Sequence, residues 1–279
     1  MHRKNTYSEL LDNGYVVGCL SYDTVTLVDG CDLGSYFSGK EVCLFGDIST
    51  KGEVAYDSTR TYRTWGPTNK GEDTYLLSEI EKDIVRNCPV LSTGKKGRAT
   101  VRVQEYQSTY TLIQSVKGVT RQCWHTDYDI KQVVQFTSNS TVKFGQIPLV
   151  ALVALEDGAT LSYIPGSHNV LLRGTLNLQE EKLLRLSKGD YVLFHPLLVH
   201  RGTSYIEQSR RLHTYFDSLL CPRSTTEKGE ALTYPFDFEN GSQYALSEKF
   251  TTLTKYVRAK LVRDAKATKA KSRNKRFKK

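Results

Sequence analysis

The sequence contains no hydrophobic run long enough to cross a membrane as a helix. Its longest apolar run, at residues 147–155, is far shorter than the roughly 20 residues that such a helix requires. The basic residues near the N-terminus, at positions 2–4, are not followed by the apolar core of a secretory signal. These absences predict an intracellular protein, cytoplasmic or nuclear, and argue against the secreted and membrane-spanning classes.

Cysteine pairs of the C-x-x-C type are also missing. The six cysteines among 279 residues are scattered, so neither a thiolate zinc site nor a thioredoxin-like redox motif is indicated. Proline (7) and glycine (20) stay near average, which argues against collagen-like and low-complexity classes. Aromatic residues are plentiful instead, with 17 Tyr, 10 Phe and 2 Trp, and they supply the large core side chains of a folded protein.

Positive charge is concentrated at the C-terminus. Residues 255–279 contain twelve Lys and Arg against one Asp, a net charge of +11, while the whole chain carries +9. An apolar stripe at helical spacing over 246–261 predicts a helix that continues into this segment, and the residues after Asp264 are predicted to be disordered. Two interpretations stay open: a solubilising tail, or a segment that binds nucleic-acid phosphates or directs the protein to the nucleus.

The remaining 254 residues are predicted to form one mainly β domain. Helices are predicted at 7–12 and 74–87 and a strand at 15–20. From Ala99 onward, short runs of Val, Thr, Tyr, Ile and Phe alternate with turn signals such as Gly189-Asp190, a pattern typical of sandwiches and barrels.

This pattern divides the predicted domain, 1–254, into three parts. We expect a helical and irregular cap at 1–95, a β core at 96–222 and a C-terminal extension at 223–254. The basic tail at 255–279 follows the domain.

The segment 124–127, Trp-His-Thr-Asp, is the first candidate for a metal-binding motif. On a strand, residues two positions apart point to the same face, so His125 and Asp127 could share one ion. A His-x-Asp pair is common by chance, and alone it equally fits a surface histidine beside an aspartate. The interpretation therefore needs a further ligand from another strand.

A further histidine, His200, lies near the end of residues 186–202, after a turn, an apolar run and a short connection. Two histidines and one aspartate from separate strands form the 2-His-1-carboxylate arrangement. It leaves three positions on Fe(II) open for a bidentate cosubstrate and dioxygen. A zinc enzyme with the same ligands stays open as an alternative.

A pair of arginines precedes another alternating run, residues 210–217. On a strand, Arg211, His213 and Tyr215 share one face and Arg210 lies on the other. An arginine inside a barrel needs an anionic partner, and the distal carboxylate of 2-oxoglutarate offers one with bidentate geometry. A structural salt bridge is the alternative.

In order and spacing, these motifs resemble the Fe(II)- and 2-oxoglutarate-dependent dioxygenases, specifically the branch that includes phytanoyl-CoA dioxygenase. The most specific piece is Pro-Gly-Ser-His at 165–168 after a predicted strand, and the segment 10–17, Leu-Leu-Asp-Asn-Gly-Tyr-Val-Val, is similar to the opening of that branch. The resemblance covers 100–217 well and the first 95 residues poorly.

The resemblance implies a mainly β fold with flanking helices around a double-stranded β-helix, a jelly-roll or cupin-like core of two facing antiparallel sheets. It implies that His125, Asp127 and His200 bind Fe(II) and that Arg211 anchors 2-oxoglutarate. These four residues are the predicted catalytic site.

Other residues near these motifs are weaker candidates. Arg210 is the alternative anchor, because both arginines follow the distal histidine by about ten residues, but strand phase favours Arg211. Gln114, on a preceding strand, is predicted to contact the cosubstrate. His195 would face away from the metal on a continuous strand, and His168 is expected to order the loop around Pro165-Gly166 and not to bind metal.

The resemblance also implies the reaction. Asp127 stands where halogenating relatives have a small residue, which points to hydroxylation of an organic substrate with Fe(II), 2-oxoglutarate and O2, releasing succinate and CO2. The alternatives are a non-catalytic cupin-like binding protein and a nucleic-acid-associated protein that acts through its basic tail; some dioxygenases act on extruded nucleobases. The sequence does not identify the substrate.

Overall fold

Helices and strands occur along most of the described chain. The structure, a computed structural model, describes residues 6–35, 42–48, 54–65, 73–87, 106–137, 147–173, 181–223, 234–237 and 242–243. The helices are α1 (Thr6–Asn13), α2 (Tyr22–Asp29), α3 (Asp73–Asn87), α4 (Ile130–Thr137) and α5 (Ser167–Arg173). The strands are β1 (Tyr15–Cys19), β2 (Val42–Ile48), β3 (Val54–Trp65), β4 (Tyr106–Ser115), β5 (His125–Thr126), β6 (Leu149–Ala154), β7 (Ala159–Tyr163), β8 (Lys182–Leu186), β9 (Asp190–Phe194), β10 (His200–Gly202), β11 (Ser209–Ser218), β12 (Tyr234–Asp237) and β13 (Ser242–Gln243).

The strands form two antiparallel sheets that face each other. The larger sheet has the order β1-β9-β6-β11-β4-β3-β2 and the smaller β13-β12-β5-β10-β7-β8. Apolar side chains from both sheets meet in one buried cluster, which includes Leu152 and Phe194 from the larger sheet and Leu161 from the smaller. This architecture confirms the predicted mainly β, double-stranded β-helix fold.

Side-chain alternation along β11 separates the two faces of the larger sheet. Leu212 and Phe216 pack in an outer cluster with helix residues such as Ile80, whereas Tyr215 belongs to the inner cluster between the sheets. Because successive side chains on a strand point to opposite faces, Arg211 shares the inner face with Tyr215. Strand β11 thus carries a charged side chain into the interior between the two sheets.

The predicted N-terminal elements are present. Helix α1 matches the helix predicted at 7–12, α3 the helix at 74–87, and β1 the strand at 15–20. Gly14, with φ +84°, allows the turn between α1 and β1. β1 then pairs with β9 at the edge of the larger sheet, so the opening of the chain is part of the barrel wall.

Residues 1–95, which are predicted as a helical and irregular cap, also contain strands of the larger sheet. Strands β1, β2 and β3 all join the larger sheet, and β3 pairs with β4 over Arg60–Trp65. Residues 54–65 are rich in Thr and Tyr, which suit strands, but their apolar residues do not alternate regularly, so the sequence pattern did not reveal them. The division of the chain at residues 95 and 222 remains a prediction.

The predicted helix at 246–261 and the basic tail at 255–279 lie outside the described residues. Within the described ranges, none of the helices is long and apolar enough to span a membrane.

Candidate metal and cosubstrate site

Two neighbouring strands of the smaller sheet bring the three predicted metal ligands together. His200, the first residue of β10, pairs directly with His125 on β5, and their ring centroids are 4.4 Å apart. Asp127 follows β5 by one residue. One ligand atom from each of these three buried residues lies within 4.8 Å of the others.

Backbone carbonyls determine the tautomers of both histidines. Nδ1 of His125 lies 2.8 Å from the carbonyl oxygen of Cys123, and Nδ1 of His200 lies 2.8 Å from that of Leu198. Because a carbonyl only accepts hydrogen bonds, Nδ1 must be the protonated nitrogen of each neutral ring. Nε2 is therefore the unprotonated nitrogen of each ring, the tautomer that is typical of metal-binding histidines.

The atoms that face the centre of this cluster lack conventional partners. Oδ2 of Asp127 and Nε2 of His200 are 3.7 Å apart, and neither has a hydrogen-bond partner in the described part of the chain. Burial raises the pKa of Asp127, although His200 and Arg223 act to lower it. A divalent cation would offset the burial of this carboxylate, so two imidazoles and one carboxylate fit the ligand set of a non-haem iron site.

Arg211 lies on the inner face of β11 and is only 2% exposed. Its Nη1 donates to Oγ of Ser115 at 2.8 Å, and its guanidinium carbon is 5.4 Å from the ring centroid of Tyr205. Ser209 lies opposite Ser115 in the β4–β11 pair, and its buried Oγ has no hydrogen-bond partner within the described ranges. These groups are donors of the kind that could hold a carboxylate.

Arg210 and Gln114 lie on the other face of the sheet. Arg210 forms an ion pair with Glu156 at 2.7 Å, and its Nε donates to Oε1 of Gln114 at 2.9 Å. The structure therefore does not bring Gln114 to the three clustered residues. Gln114 and Ser115 are consecutive on β4 and therefore point to opposite faces of the sheet. Ser115, and not Gln114, lies beside Arg211.

His195 and His168 form a separate pair. Their ring centroids are 4.8 Å apart, and Nε2 of His168 donates to the carbonyl oxygen of Leu11 in α1 at 2.9 Å. Nδ1 of His195 accepts from the backbone N–H of Leu197 at 3.1 Å. The contact of His168 joins the start of α5 to the N-terminal helix.

His213 is a buried imidazole that sequence reasoning placed beside Arg211 without giving it a role. Its Nε2 has no hydrogen-bond partner among the described residues. Burial, followed by the charges of Arg211, His200, His125 and Arg223, holds the pKa of His213 well below its ordinary value. The imidazole is therefore neutral and lies among the two candidate histidine ligands and two arginines.

Comparison with solved structures shows the fold. The carbocyclase SnoK from nogalamycin biosynthesis, described as non-haem and α-ketoglutarate-dependent, has a TM-score of 0.51 at 14% identity, over 76% of this chain and 83% of that one. The epimerase SnoN in complex with Fe3+, α-ketoglutarate and nogalamycin RO has a TM-score of 0.49 at 17% identity, over 76% and 82%. HygX from Streptomyces hygroscopicus, with nickel and 2-oxoglutarate bound, has a TM-score of 0.47 at 11% identity, over 82% of this chain and 94% of that one.

Comparison with known sequences identifies the family. No curated protein sequence matches the chain. The family model of phytanoyl-CoA dioxygenase (PhyH), however, matches residues 72–211, which is half of the 279 residues and includes the segments that carry His125, Asp127, His200 and Arg211. The chain therefore belongs to the phytanoyl-CoA dioxygenase family and is a non-haem iron, 2-oxoglutarate-dependent oxygenase.

Proposed function

We propose that His125, Asp127 and His200 bind Fe(II), that Arg211 anchors the distal carboxylate of 2-oxoglutarate, and that the enzyme hydroxylates an organic substrate. The observation that supports this most is a pair of buried atoms 3.7 Å apart, Oδ2 of Asp127 and Nε2 of His200, neither of which has a hydrogen-bond partner among the described residues. Gln114 was predicted to contact the cosubstrate. We assign that place beside the cosubstrate to Ser115 instead, because Ser115 contacts the Arg211 guanidinium.

Each protein group has a defined task in this proposal. Iron held by His125, Asp127 and His200 would, together with 2-oxoglutarate, supply the activation of dioxygen for hydroxylation of a C–H bond, with succinate and CO2 as the other products. The carbonyls of Cys123 and Leu198 hold the imidazoles in the metal-binding tautomer. Arg211 neutralises and orients the distal carboxylate, while apolar side chains of the inner cluster, such as Phe194, exclude water.

An anaerobic titration tests the assignment without a known substrate. Fe(II) and 2-oxoglutarate are added to the metal-free full-length protein while the visible charge-transfer absorption is followed. We expect a band in the wild type, no band in His200→Ala, and a band in Arg211→Ala that needs at least about tenfold more 2-oxoglutarate, because a charge-assisted hydrogen bond contributes roughly 1.5–3 kcal/mol.

Two matched variants control for non-specific effects. Arg210→Ala removes the neighbouring arginine, which pairs with Glu156 on the outer face, and His195→Asn removes a buried histidine from the separate pair. Both should retain the wild-type band. Absence of a band in folded wild-type protein would contradict the proposal, and a loss in Arg210→Ala equal to that in Arg211→Ala would reassign the anchor.

Nucleic-acid binding by the basic tail remains a prediction supported only by the charge of residues 255–279. Counterion release makes such binding steeply dependent on salt. We expect a deletion of 266–279 to abolish the salt-dependent binding of single-stranded DNA. Equal binding by the truncated and full-length chains would contradict a role for the tail. Location in the cytoplasm or nucleus likewise stays a prediction.

A further inference from the structure

A second buried arginine, Arg223, lies at the opposite end of the inner face of β11 from Arg211. The inner side chains of β11 follow in the order Arg211, His213, Tyr215, which spans roughly 13 Å at the usual rise of a strand. After β11 the chain turns back, with a bridge between Ser218 and Cys221. This turn places the guanidinium of Arg223 over the ring of Tyr215, 3.4 Å from its centroid.

The orientation of Arg223 is held by an ion pair as well as by this stacking. Its Nε donates to Oδ1 of Asp217 at 3.2 Å, and its side chain is only 7% exposed. Asp217 also accepts hydrogen bonds from the hydroxyl groups of Tyr128 and Thr109. A guanidinium that is stacked on one face and bonded at Nε has its remaining N–H groups fixed in direction.

Most hydrogen-bonding capacity of Arg223 is unused by the described protein. Asp217 is its only hydrogen-bond acceptor in the described ranges, and it occupies Nε alone, which leaves the four N–H groups on Nη1 and Nη2. These N–H groups only donate hydrogen bonds, so they are expected to meet water or a bound molecule. Although burial lowers the pKa of Arg223, Asp217 and other neighbours hold it above its ordinary value, and the side chain is therefore always cationic.

The electrostatic contacts place Arg223 near the candidate metal site. His213 lies between Arg211 and Tyr215 on the strand, and it is affected by the charges of Arg211, His200, His125 and Arg223. The carboxylate of Asp127 is among the charges that act on Arg223. Hydrogen bonds through Asp217 also link Arg223 to Tyr128, the residue that follows Asp127, so Arg223 as well as Arg211 lies near the candidate metal site. A cosubstrate that extends from the metal to Arg211 leaves the side of Arg223 for the substrate.

We propose that Arg223 binds an oxyanion group of the substrate, a carboxylate or a phosphate, through Nη1 and Nη2. Both groups match the planar fork of a guanidinium and accept two parallel hydrogen bonds, whereas an alcohol accepts fewer and carries no charge. This inference rests on the proposed function, because it assumes that the candidate metal site holds iron and that Arg211 binds the cosubstrate. It restricts the substrates to acidic organic molecules whose reacting carbon lies near the anionic group.

The test compares one anionic chain with its neutral analogue. Full-length protein is loaded with Mn(II) and saturating 2-oxoglutarate, which fills the Arg211 site, and is mixed with hexanoate, hexyl phosphate or 1-hexanol. Relaxation of the probe protons by Mn(II), measured by NMR, gives both affinity and proximity to the metal. We expect hexanoate or hexyl phosphate to bind about ten- to a hundredfold more tightly than 1-hexanol. The better of the two anions identifies the oxyanion.

Variants assign the effect to Arg223. Arg223→Gln should reduce binding of the anion to the level of 1-hexanol, Arg223→Lys should retain part of it, and the matched control Arg210→Gln should leave it unchanged. Equal binding of the anions and 1-hexanol to the wild type, or unchanged anion binding by folded Arg223→Gln, would overturn this inference. Failure of Mn(II) and 2-oxoglutarate to bind the wild type would instead overturn the proposed function.

Discussion

At the scale of single residues, the candidate site depends on hydrogen bonds of buried polar atoms. Ser115 is fully buried, and its Oγ accepts the hydrogen bond from Nη1 of Arg211. This contact restricts the guanidinium to one orientation, so that its other N–H groups are directed before any ligand binds. Affinity for a carboxylate at Arg211 is then expected to depend on a residue that need not touch the ligand.

Removal of the Ser115 hydroxyl is expected to weaken the binding of 2-oxoglutarate. In Ser115→Ala, the buried guanidinium loses a fixed acceptor and gains freedom to rotate, and we expect half-saturation of the charge-transfer band to need about tenfold more 2-oxoglutarate. The control is Ser108→Ala, on the same strand, whose hydroxyl donates to Glu81 of α3. An equal requirement in both variants would contradict this role of Ser115.

Gly14 is a second residue whose substitution has a specific expected cost. It has φ +84°, and an added Cβ would lie 2.5 Å from Nδ1 of His168, an imidazole that is buried and packed against His195. Gly118 has a similar φ of +88°, and no described atom lies within 4 Å of a Cβ added there. Substitution of Gly118 therefore measures the cost of the backbone conformation alone.

We therefore expect Gly14→Ala to destabilise the protein more than Gly118→Ala. Gly118→Ala should cost roughly 1–2 kcal/mol for the left-handed backbone, and Gly14→Ala should cost about 1–3 kcal/mol more for the crowding of the buried imidazole. Urea unfolding of the full-length variants measures both. Equal costs would mean that the turn at Gly14 moves away from His168 without loss.

At the scale of whole elements, helix α3 covers the outer face of the larger sheet. Ile80 and Ile84 are completely buried in the outer cluster. Glu81 accepts hydrogen bonds from Tyr110 and Ser108 on β4, and Asp83 accepts the backbone N–H of Ser21 before α2, at 2.6 Å. The helix thus holds β4 and α2 together on the face opposite Arg211.

Replacement of a buried side chain of α3 is expected to lower the stability of the protein without changing ligand binding. Ile84→Ala should lower the free energy of unfolding by about 2–5 kcal/mol, because a buried side chain is replaced by a cavity. Tyr75→Ala, at a position that is 62% exposed, should change it by less than about 0.5 kcal/mol. Both folded variants should give wild-type charge-transfer titrations, and weaker titration by Ile84→Ala would show that α3 contributes to the site.

The elements that the sequence predicted are those with a clear periodic signal. Helix α3 has apolar residues at helical spacing and β1 follows an Asn-Gly stop signal, and both were located closely. Strands β2 and β3 lack such periodicity; their pairing with the sheet through β4 is a tertiary effect. Helix α2, which follows the N-cap Ser21, was also missed, because four of its eight residues are the β-branched Thr and Val, which have lower helix propensity and favour strands.

At the scale of the molecule, the site could be predicted where local sequence carries the chemistry. The His-x-Asp spacing and the alternation around Arg211 correctly grouped His125 with Asp127 and separated Arg211 from Arg210. The sequence could not show whether Gln114 or Ser115 shares the face of Arg211. That depends on the register of β4 against β11, which the sequence of one strand does not encode. Arg223 was missed for a related reason, since it reaches Tyr215 only through a turn after β11.

The buried pair of His195 and His168 is expected to make the stability of the whole molecule depend on pH. Burial, and secondarily the charge of His168, holds the pKa of His195 well below its ordinary value, so the folded protein keeps this imidazole neutral. Below about pH 6.5, the ordinary pKa of histidine, the unfolded chain binds a proton at this residue that the folded chain excludes. The free energy of unfolding should therefore fall as the pH decreases, by up to about 1.4 kcal/mol per pH unit for this residue, and should gain nothing from it at higher pH.

His195→Asn isolates that contribution, because the Asn side-chain oxygen can still accept from the N–H of Leu197 while the group no longer titrates. We expect urea unfolding of the metal-free full-length protein to show a shallower loss of stability between pH 6.5 and pH 5 in the variant. The difference in slope should correspond to about one fewer proton bound on unfolding. His213 also has a lowered pKa, but it contributes equally to both proteins and cancels in the comparison. Identical slopes would mean that the folded protein accommodates a proton on His195 as readily as the unfolded chain. In that case the contact between the N-terminal helix and the start of α5 would open without unfolding the barrel.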